Sequence, residues 1–278
     1  MSAIASVHFG PRLVATPAGR LRAAVLVRPS RFIELGAPIA GEPGAIYVRA
    51  IEQHAILCKT LRGFGVETIE LEARGSDPWE PAAADAAVAF ADGAVLMRPT
   101  AMSRRADADR LAAEFGRIDV PLAGHIAAPG LLDGNDVVLA GDTAFVGVGR
   151  RGNDVGRSGF AQLARAHGFR VAEVRLADGV PALRAVANAV ADDTVLLAAG
   201  KADPAPFAGF RTVLLDAGEE FAAGALCLGE RHVLADMRYR TALAKMRRAR
   251  IAVEAIDLYD FGKLGITPAM LVLALKRD

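Results

Sequence analysis

The chain has 278 residues, with 33 Lys and Arg against 32 Asp and Glu, and is 53% apolar but only 6% aromatic. A formal charge of +1 gives no global attraction to nucleic acid or an anionic membrane, and Ala, Val and Leu rather than aromatic rings must fill the core. Two cysteines, Cys58 and Cys227, cannot make a disulfide framework, so a reducing compartment, the cytoplasm, is expected. The first twenty residues lack the unbroken apolar core of a signal peptide, and Gly, Pro or charge interrupts every apolar run before it reaches membrane-spanning length.

In chain order, an N-terminal arm over 1–20 precedes a strand at Leu21-Arg22-Ala23-Ala24-Val25-Leu26-Val27. A Gly- and Pro-rich loop over 35–44 leads to a predicted helix over 45–62, with Ile51, Ile56 and Leu57 among its apolar positions. Val66-Glu67-Thr68-Ile69-Glu70-Leu71 alternates with period two, as a half-buried strand does. A second unit has strands over 86–90 and 94–97, then a helix over 103–115 that buries Leu111, Ala112 and Phe115, with Ser103 as its N-cap.

The third unit opens with the turn Asp133-Gly134-Asn135-Asp136, whose Gly and Asx residues suit tight backbone. Strands over 137–140 and 144–148 follow, then Gly149-Arg150-Arg151-Gly152-Asn153, which carries two guanidinium groups on flexible backbone. A helix with Phe160, Leu163, Ala164 and His167 on one stripe and a strand over 171–176 complete it. The fourth unit has strands over 187–190, 194–197 and 212–215, with a weak, Pro-broken segment in place of a clear helix. The fifth has strands over 225–228 and 232–235, a basic helix and a strand over 253–258. A last apolar strand over 270–275 has no partner of its own and is available to complete the first unit.

Ala91-Asp92-Gly93, Gly141-Asp142-Thr143, Ala191-Asp192-Asp193 and Gly229-Glu230-Arg231 all fall between two short strands, at a period of about 40 residues. Four such breaks in register argue for repetition. A single unit leaves an apolar face uncovered, so the copies must pack side by side into one closed domain over 21–278. No linker marks a second one.

Order, period and motifs resemble the pentein superfamily of α/β propellers, and within it most nearly the dimethylarginine dimethylaminohydrolases, with amidinotransferases as further members. Leu132-Asp133-Gly134-Asn135-Asp136-Val137 looks like the Leu-(Asp/Glu)-Gly-Gly-Asp-Val motif of those enzymes. The segment 145–153 with Gly156 looks like their Gly-Leu-Ser-x-Arg-Thr-Asn-x-x-Gly. Met97-Arg98-Pro99 followed by Ser103-Arg104-Arg105, and Asp260-Phe261-Gly262-Lys263, match two weaker motifs in the right order. The resemblance implies an α/β fold, a five-fold propeller of strand-strand-helix-strand units. It also implies guanidino-group chemistry in which a Cys thiolate attacks the guanidinium carbon, a His moves protons and carboxylates hold the cation.

The departures from that pattern bear on activity. Ala182 stands where the family has its His, and the family Cys position falls near Met270, in a stretch over 264–270 without cysteine. The family's Phe-x-Glu-Asp becomes Ala82-Ala83-Ala84-Asp85, keeping one carboxylate. Asp85, Asp133 and Asp136 are therefore expected at one end of the central channel, with Arg151 and one of Arg104 or Arg105 nearby as a site for a small amino-acid-like or guanidino ligand. The expected function is a non-catalytic pentein that binds such a ligand or a partner protein. An active hydrolase or lyase with a relocated nucleophile is the alternative, and a structural or assembly protein without a small-molecule site is a third class.

Cys227 with His232 across its hairpin is the candidate substitute pair, although core packing suits both Cys227 and Cys58. His125 reads as a loop residue, and His8, His54 and His167 show no ligand spacing; no metal motif appears and no cofactor is implied. The run 238–250 carries six basic residues with no interleaved aromatic platform, which favours a solvated helix face over nucleic-acid binding. A homo-oligomer is left open.

Overall fold

Short apolar runs separated by tight breaks fold into five three-stranded sheets with one repeated wiring. The computed structural model describes residues 9–10, 12–229 and 231–278; His8 and Glu230 of the fifth hairpin lie outside the described residues. The strands are β1 (Leu21–Val27), β2 (Glu67–Leu71), β3 (Ala87–Ala89), β4 (Ala94–Leu96), β5 (Leu122–His125), β6 (Val137–Ala140), β7 (Thr143–Val148) and β8 (Arg170–Arg175). They continue as β9 (Ala187–Ala191), β10 (Thr194–Ala198), β11 (Arg211–Leu215), β12 (Leu226–Gly229), β13 (His232–Asp236), β14 (Ala252–Ile256) and β15 (Leu273–Arg277).

The sheets are β15-β1-β2, β3-β4-β5, β6-β7-β8, β9-β10-β11 and β12-β13-β14. In each, the inner strand runs antiparallel to the middle one and the outer strand runs parallel to it. The C-terminal strand completes the first sheet, so the chain closes on itself. Val14 forms a further parallel bridge to Arg277, which fastens the end of the N-terminal arm to the same sheet.

A parallel return needs a crossover long enough to hold a helix. Four units supply one: α1 (Tyr47–Gly63), α2 (Ala106–Arg117), α3 (Asp154–Ala166) and, in the fifth unit, a helix over Arg240–Arg248. The fourth unit crosses over with only a 3-10 turn at Ala205–Phe207, in which Phe207 stacks on Phe145 at 4.3 Å between centroids. Numbering all helical segments in order, the four-residue α4 (Leu183–Val186) precedes the basic helix α5, and α6 (Tyr259–Gly262) and α7 (Pro268–Leu271) follow it.

Two helix expectations are corrected. The buried stripe of α1 is Ala50, Gln53, His54, Leu57, Cys58 and Leu61, while Ile56 is exposed, because the helical period carries the stripe through two polar residues. Each fully buried Leu in it contributes roughly 1.5–3 kcal/mol. Ser103 does not cap α2: it sits in a separate 3-10 turn and its hydroxyl donates to Asp77. In contrast, Asn153 caps α3 by accepting from the Gly156 N–H at 2.8 Å, and its Oδ1 also accepts from Leu131 at 2.9 Å. The basic helix α5 turns Ala242, Leu243 and Met246 inward and its Arg247 and Arg248 to solvent.

Helical turns precede the inner strands: Ala83–Asp85, Gly134–Asp136, α4, Glu220–Gly224 and α7. Each touches the next, and α7 touches Ala83–Asp85, so five turns form a closed ring at one end of the axis. The ring is tight. A Cβ on Gly134 would lie 2.1 Å from the Ala84 carbonyl oxygen, backbone that cannot yield without opening the ring.

Gly134→Ala should therefore lower unfolding free energy by roughly 1–3 kcal/mol, the cost of overpacking. Gly116→Ala, on the exposed face of α2 with open space around it, should be neutral or raise stability by up to about 1 kcal/mol. Urea denaturation of the two variants measures both.

Candidate functional site

Asp85 lies at the end of its ring turn and is 1% exposed. Its Oδ2 accepts from Arg104 Nη1 at 3.0 Å and from Arg151 Nη1 at 3.4 Å, while Oδ1 accepts from Asn135 Nδ2 at 2.7 Å. Arg151 also donates to Asp133 Oδ2 at 3.2 Å, and Asp133 Oδ1 accepts from the Thr100 N–H at 2.6 Å. The Arg151 guanidinium lies over the Trp79 ring, 4.2 Å from its centroid, with one fifth of the side chain exposed. Arg151 in the strand end at 149–153 is thus tied down through its side chain, while Arg150 points to solvent.

Of the two adjacent arginines, Arg104 is the one in the cluster. It is 3% exposed, and besides Asp85 it donates to the carbonyls of Trp79 and Ala82 and to Asp107. Burial alone would weaken its hold on the proton, but Asp85 and Asp107 more than offset this and keep the guanidinium above its ordinary value. Arg105 is half-buried and its Nε has no partner, so it stands outside the cluster.

Asp136 is fully buried, and its Oδ1 accepts from the Leu183 N–H at 2.8 Å, which joins the third turn to the fourth. Burial drives its carboxyl well above the usual range, against the pull of that N–H. Burial, reinforced by the charge of Asp85, pushes Asp133 up to about 6, and Arg151 and the Thr100 N–H oppose the rise.

The positions that the family resemblance assigns to the His and the Cys both fall in the ring of turns. Ala182 caps α4 and Met270 belongs to α7; both are fully buried, and the two turns are in contact. The substitute pair does not assemble. Cys227 faces Val233 across its hairpin, whereas His232 faces Gly229, so the pleat sends the two side chains to opposite faces. The Cys227 thiol points at the Ala18 and Val190 carbonyls, each 3.7 Å away, and burial pushes it up; the His232 ring packs edge-on against Phe64. His125 is exposed at the end of β5, and His167 pairs with Asp92 while stacking on Phe90.

Sequence reading missed Trp79, Thr100 and Asn135 as parts of the site. It assigned Cys58 to core packing and saw no ligand spacing at His54, yet the two are four residues apart on the buried stripe of α1. With Glu70 they place three potential metal-ligand atoms within 4.8 Å of one another. Burial brings His54 down to about 4 and Cys58 up to about 12, and Glu70 is already paired with Arg62. The i, i+4 spacing was the available signal.

No family model matches the chain. It is 26% identical over 219 residues to the dimethylarginine dimethylaminohydrolase of Pseudomonas aeruginosa, covering 78% of this chain and 85% of that one. It is 33% identical over 147 residues to the corresponding protein of Streptomyces coelicolor, a match to 53% of this chain and to about half (56%) of that protein's length. Among solved structures, P. aeruginosa dimethylarginine dimethylaminohydrolase complexed with citrulline superposes with a TM-score of 0.83 at 22% identity, covering 91% of this chain and 99% of that one. The N-terminal domain of ArgZ, a cyanobacterial arginine dihydrolase, gives a TM-score of 0.80 at 16% identity over 92% of this chain and 98% of that one.

The ring of turns, the five repeated sheets and these superpositions define the fold as the five-fold α/β propeller of the penteins. Proteins similar to this chain in sequence include dimethylarginine dimethylaminohydrolases.

Removing the buried counter-charge tests the cluster. Asp85→Ala leaves two guanidiniums short of a partner and should cost about 3–5 kcal/mol of stability, whereas Asp142→Ala, which breaks an exposed pair with Arg170, should leave stability nearly unchanged. Carboxyl titration followed by NMR should place Asp133 near pH 6 in the wild type and higher in Arg151→Met, since the lost cation favoured the ionised form.

Proposed function

We propose that this chain binds a small amino-acid-like or guanidino ligand at the ring of turns and forms no covalent intermediate with it. One observation carries the reading: none of the five turns contains a Cys or a His. Apolar residues fill the two positions where the family resemblance puts base and nucleophile, and both thiols of the chain are buried elsewhere. The guanidinium carbon is resonance-stabilised, so hydrolysis without a strong nucleophile and a proton donor for the leaving amine has a high barrier.

The binding chemistry is retained. Arg151 spends one nitrogen on Asp85 and Asp133 and lays its face on Trp79, which leaves the rest of its exposed edge for a ligand carboxylate. Asp133 supplies negative charge beside it for a ligand cation. The relatives' names point to the same ligand class: dimethylarginine for the hydrolases, citrulline in the P. aeruginosa complex, and arginine for the cyanobacterial dihydrolase. Two free thiols suit the reducing cytoplasm, where we place the protein; no helix among the described residues is long and apolar enough to cross a membrane.

Purified protein should release no citrulline from arginine or methylarginines above background. Sustained turnover that is abolished by substituting a residue of the ring would overturn the non-covalent reading. In calorimetry against arginine, methylarginines, citrulline and agmatine, Arg151→Ala should weaken binding of the carboxylate-bearing compounds about ten- to a hundredfold, the loss of a charge-assisted contact of roughly 1.5–3 kcal/mol. Agmatine, which lacks the carboxylate, should be little affected by that change.

Affinity for the cationic ligands should fall as pH drops through about 6, because protonation of Asp133 removes the charge that attracts them. Asp133→Asn should flatten that dependence. Absence of binding by every compound would leave the Asp and Arg groups as mutual partners only and would sink the proposal.

A further inference from the structure

A cavity of about 70 Å³ lies among the inner strands of the propeller. Its wall takes residues from all five inner strands, with Ala269 of the ring and Val14 and Pro17 of the N-terminal segment completing it. Apart from Arg184, Asn188, Arg277 and the Cys227 thiol the lining is aliphatic, and it contains no Asp or Glu.

The two guanidiniums are held by backbone carbonyls alone. Arg184 donates from Nε to Val137 at 2.8 Å and from Nη1 to Ala269 at 3.4 Å. Arg277 donates from Nη1 to Gly19 at 2.8 Å and from Nη2 to Cys227 at 2.9 Å. Carbonyl dipoles orient both groups but cancel neither charge, and among the described residues no carboxylate is within ion-pair distance of either. Burial, and after it the charge of Arg277, brings Arg184 down to about 10, so both remain cationic at neutral pH. Two positive charges with so little exposure, Arg277 buried and Arg184 part-buried, are costly to hold side by side in one cavity unless something neutralises them.

We propose that the central channel holds a small monovalent anion, a halide or a planar oxyanion of similar size, between Arg184 and Arg277. The volume sets the size class. A cavity needs only about 10–15 Å³ of such space to hold one water, so this one has room for a bromide or a nitrate. The site is separate from that formed by Asp85, Asp133 and Arg151 and does not depend on the ligand proposed there. An anion here would stabilise the propeller by joining the first sheet, through Arg277, to the fourth turn, through Arg184.

The probe is bromide. Crystals of the full chain grown in sodium bromide should show an anomalous-difference peak between the two guanidiniums. In solution the melting temperature should rise by a few degrees and saturate as bromide replaces gluconate, a bulkier anion, at constant ionic strength. Arg277→Met and Arg184→Met should lose that rise, while Arg170→Met, at an exposed pair, should keep it. If a channel variant fails to fold, the wild-type anomalous map decides alone. No peak in the channel at saturating bromide, equal melting in the two salts, or a rise undiminished in the channel variants would overturn the proposal.

Discussion

One buried carboxylate sets the geometry at the end of the propeller where the turns meet. Asp85 has almost no contact with water, so its charge must be met within the protein, and two guanidiniums and one carboxamide converge on its two oxygens. These partners come from different units: Arg104 follows the second hairpin, Asn135 opens the third unit and Arg151 ends its middle strand. The attraction therefore fixes how the second and third units stand relative to each other. Arg104 extends the restraint to the Trp79 and Ala82 carbonyls, and Arg151 to the indole face of Trp79. A shift of either unit would leave a buried charge alone.

The ring does not need catalytic side chains to hold its shape. It closes through backbone contacts at small residues, as where Gly134 meets the Ala84 carbonyl, and through the Asp136 carboxyl on the Leu183 N–H. Asp260 works similarly farther out, accepting from the Ile46 N–H that begins α1 while pairing with Lys263 at 2.7 Å. Ala182 and Met270 can therefore occupy the positions that the resemblance assigns to base and nucleophile without disturbing the scaffold. Fold and chemistry are specified by separate residues.

That separation explains what the sequence made legible. The strands were readable because short apolar runs bounded by Gly and Asx breaks recur in register, and the unpaired run near the C-terminus announced closure onto β1. The core stripe of α1 was misread because Gln53 and His54 occupy it, and a polar residue at a core position is not signalled by hydropathy. Asp85, Asp133, Asp136, Arg104 and Arg151 were readable as positions through motif resemblance. Their mutual pairing was not, since it depends on distances between groups 18 to 66 residues apart in sequence. Trp79 escaped notice for the same reason: a lone tryptophan in a loop acquires a role only when Arg151 is laid across it.

A net charge of +1 also conceals how charge is distributed along the axis. At the ring, acids and bases are interleaved and largely cancel; in the chamber lined by the inner strands, two cations face an aliphatic wall. Arg184 belongs to both regions. It sits in the fourth turn, feels the charge of Asp85 from one side and that of Arg277 from the other, and bonds the carbonyls of Val137 and Ala269 across the axis. In a medium of low effective dielectric such charges interact more strongly than they do in water. The ionisation of the carboxylates at the ring and the electrostatic cost of the cations in the channel are therefore linked through this one side chain. An anion between Arg184 and Arg277 would therefore act on the same side chain that feels Asp85.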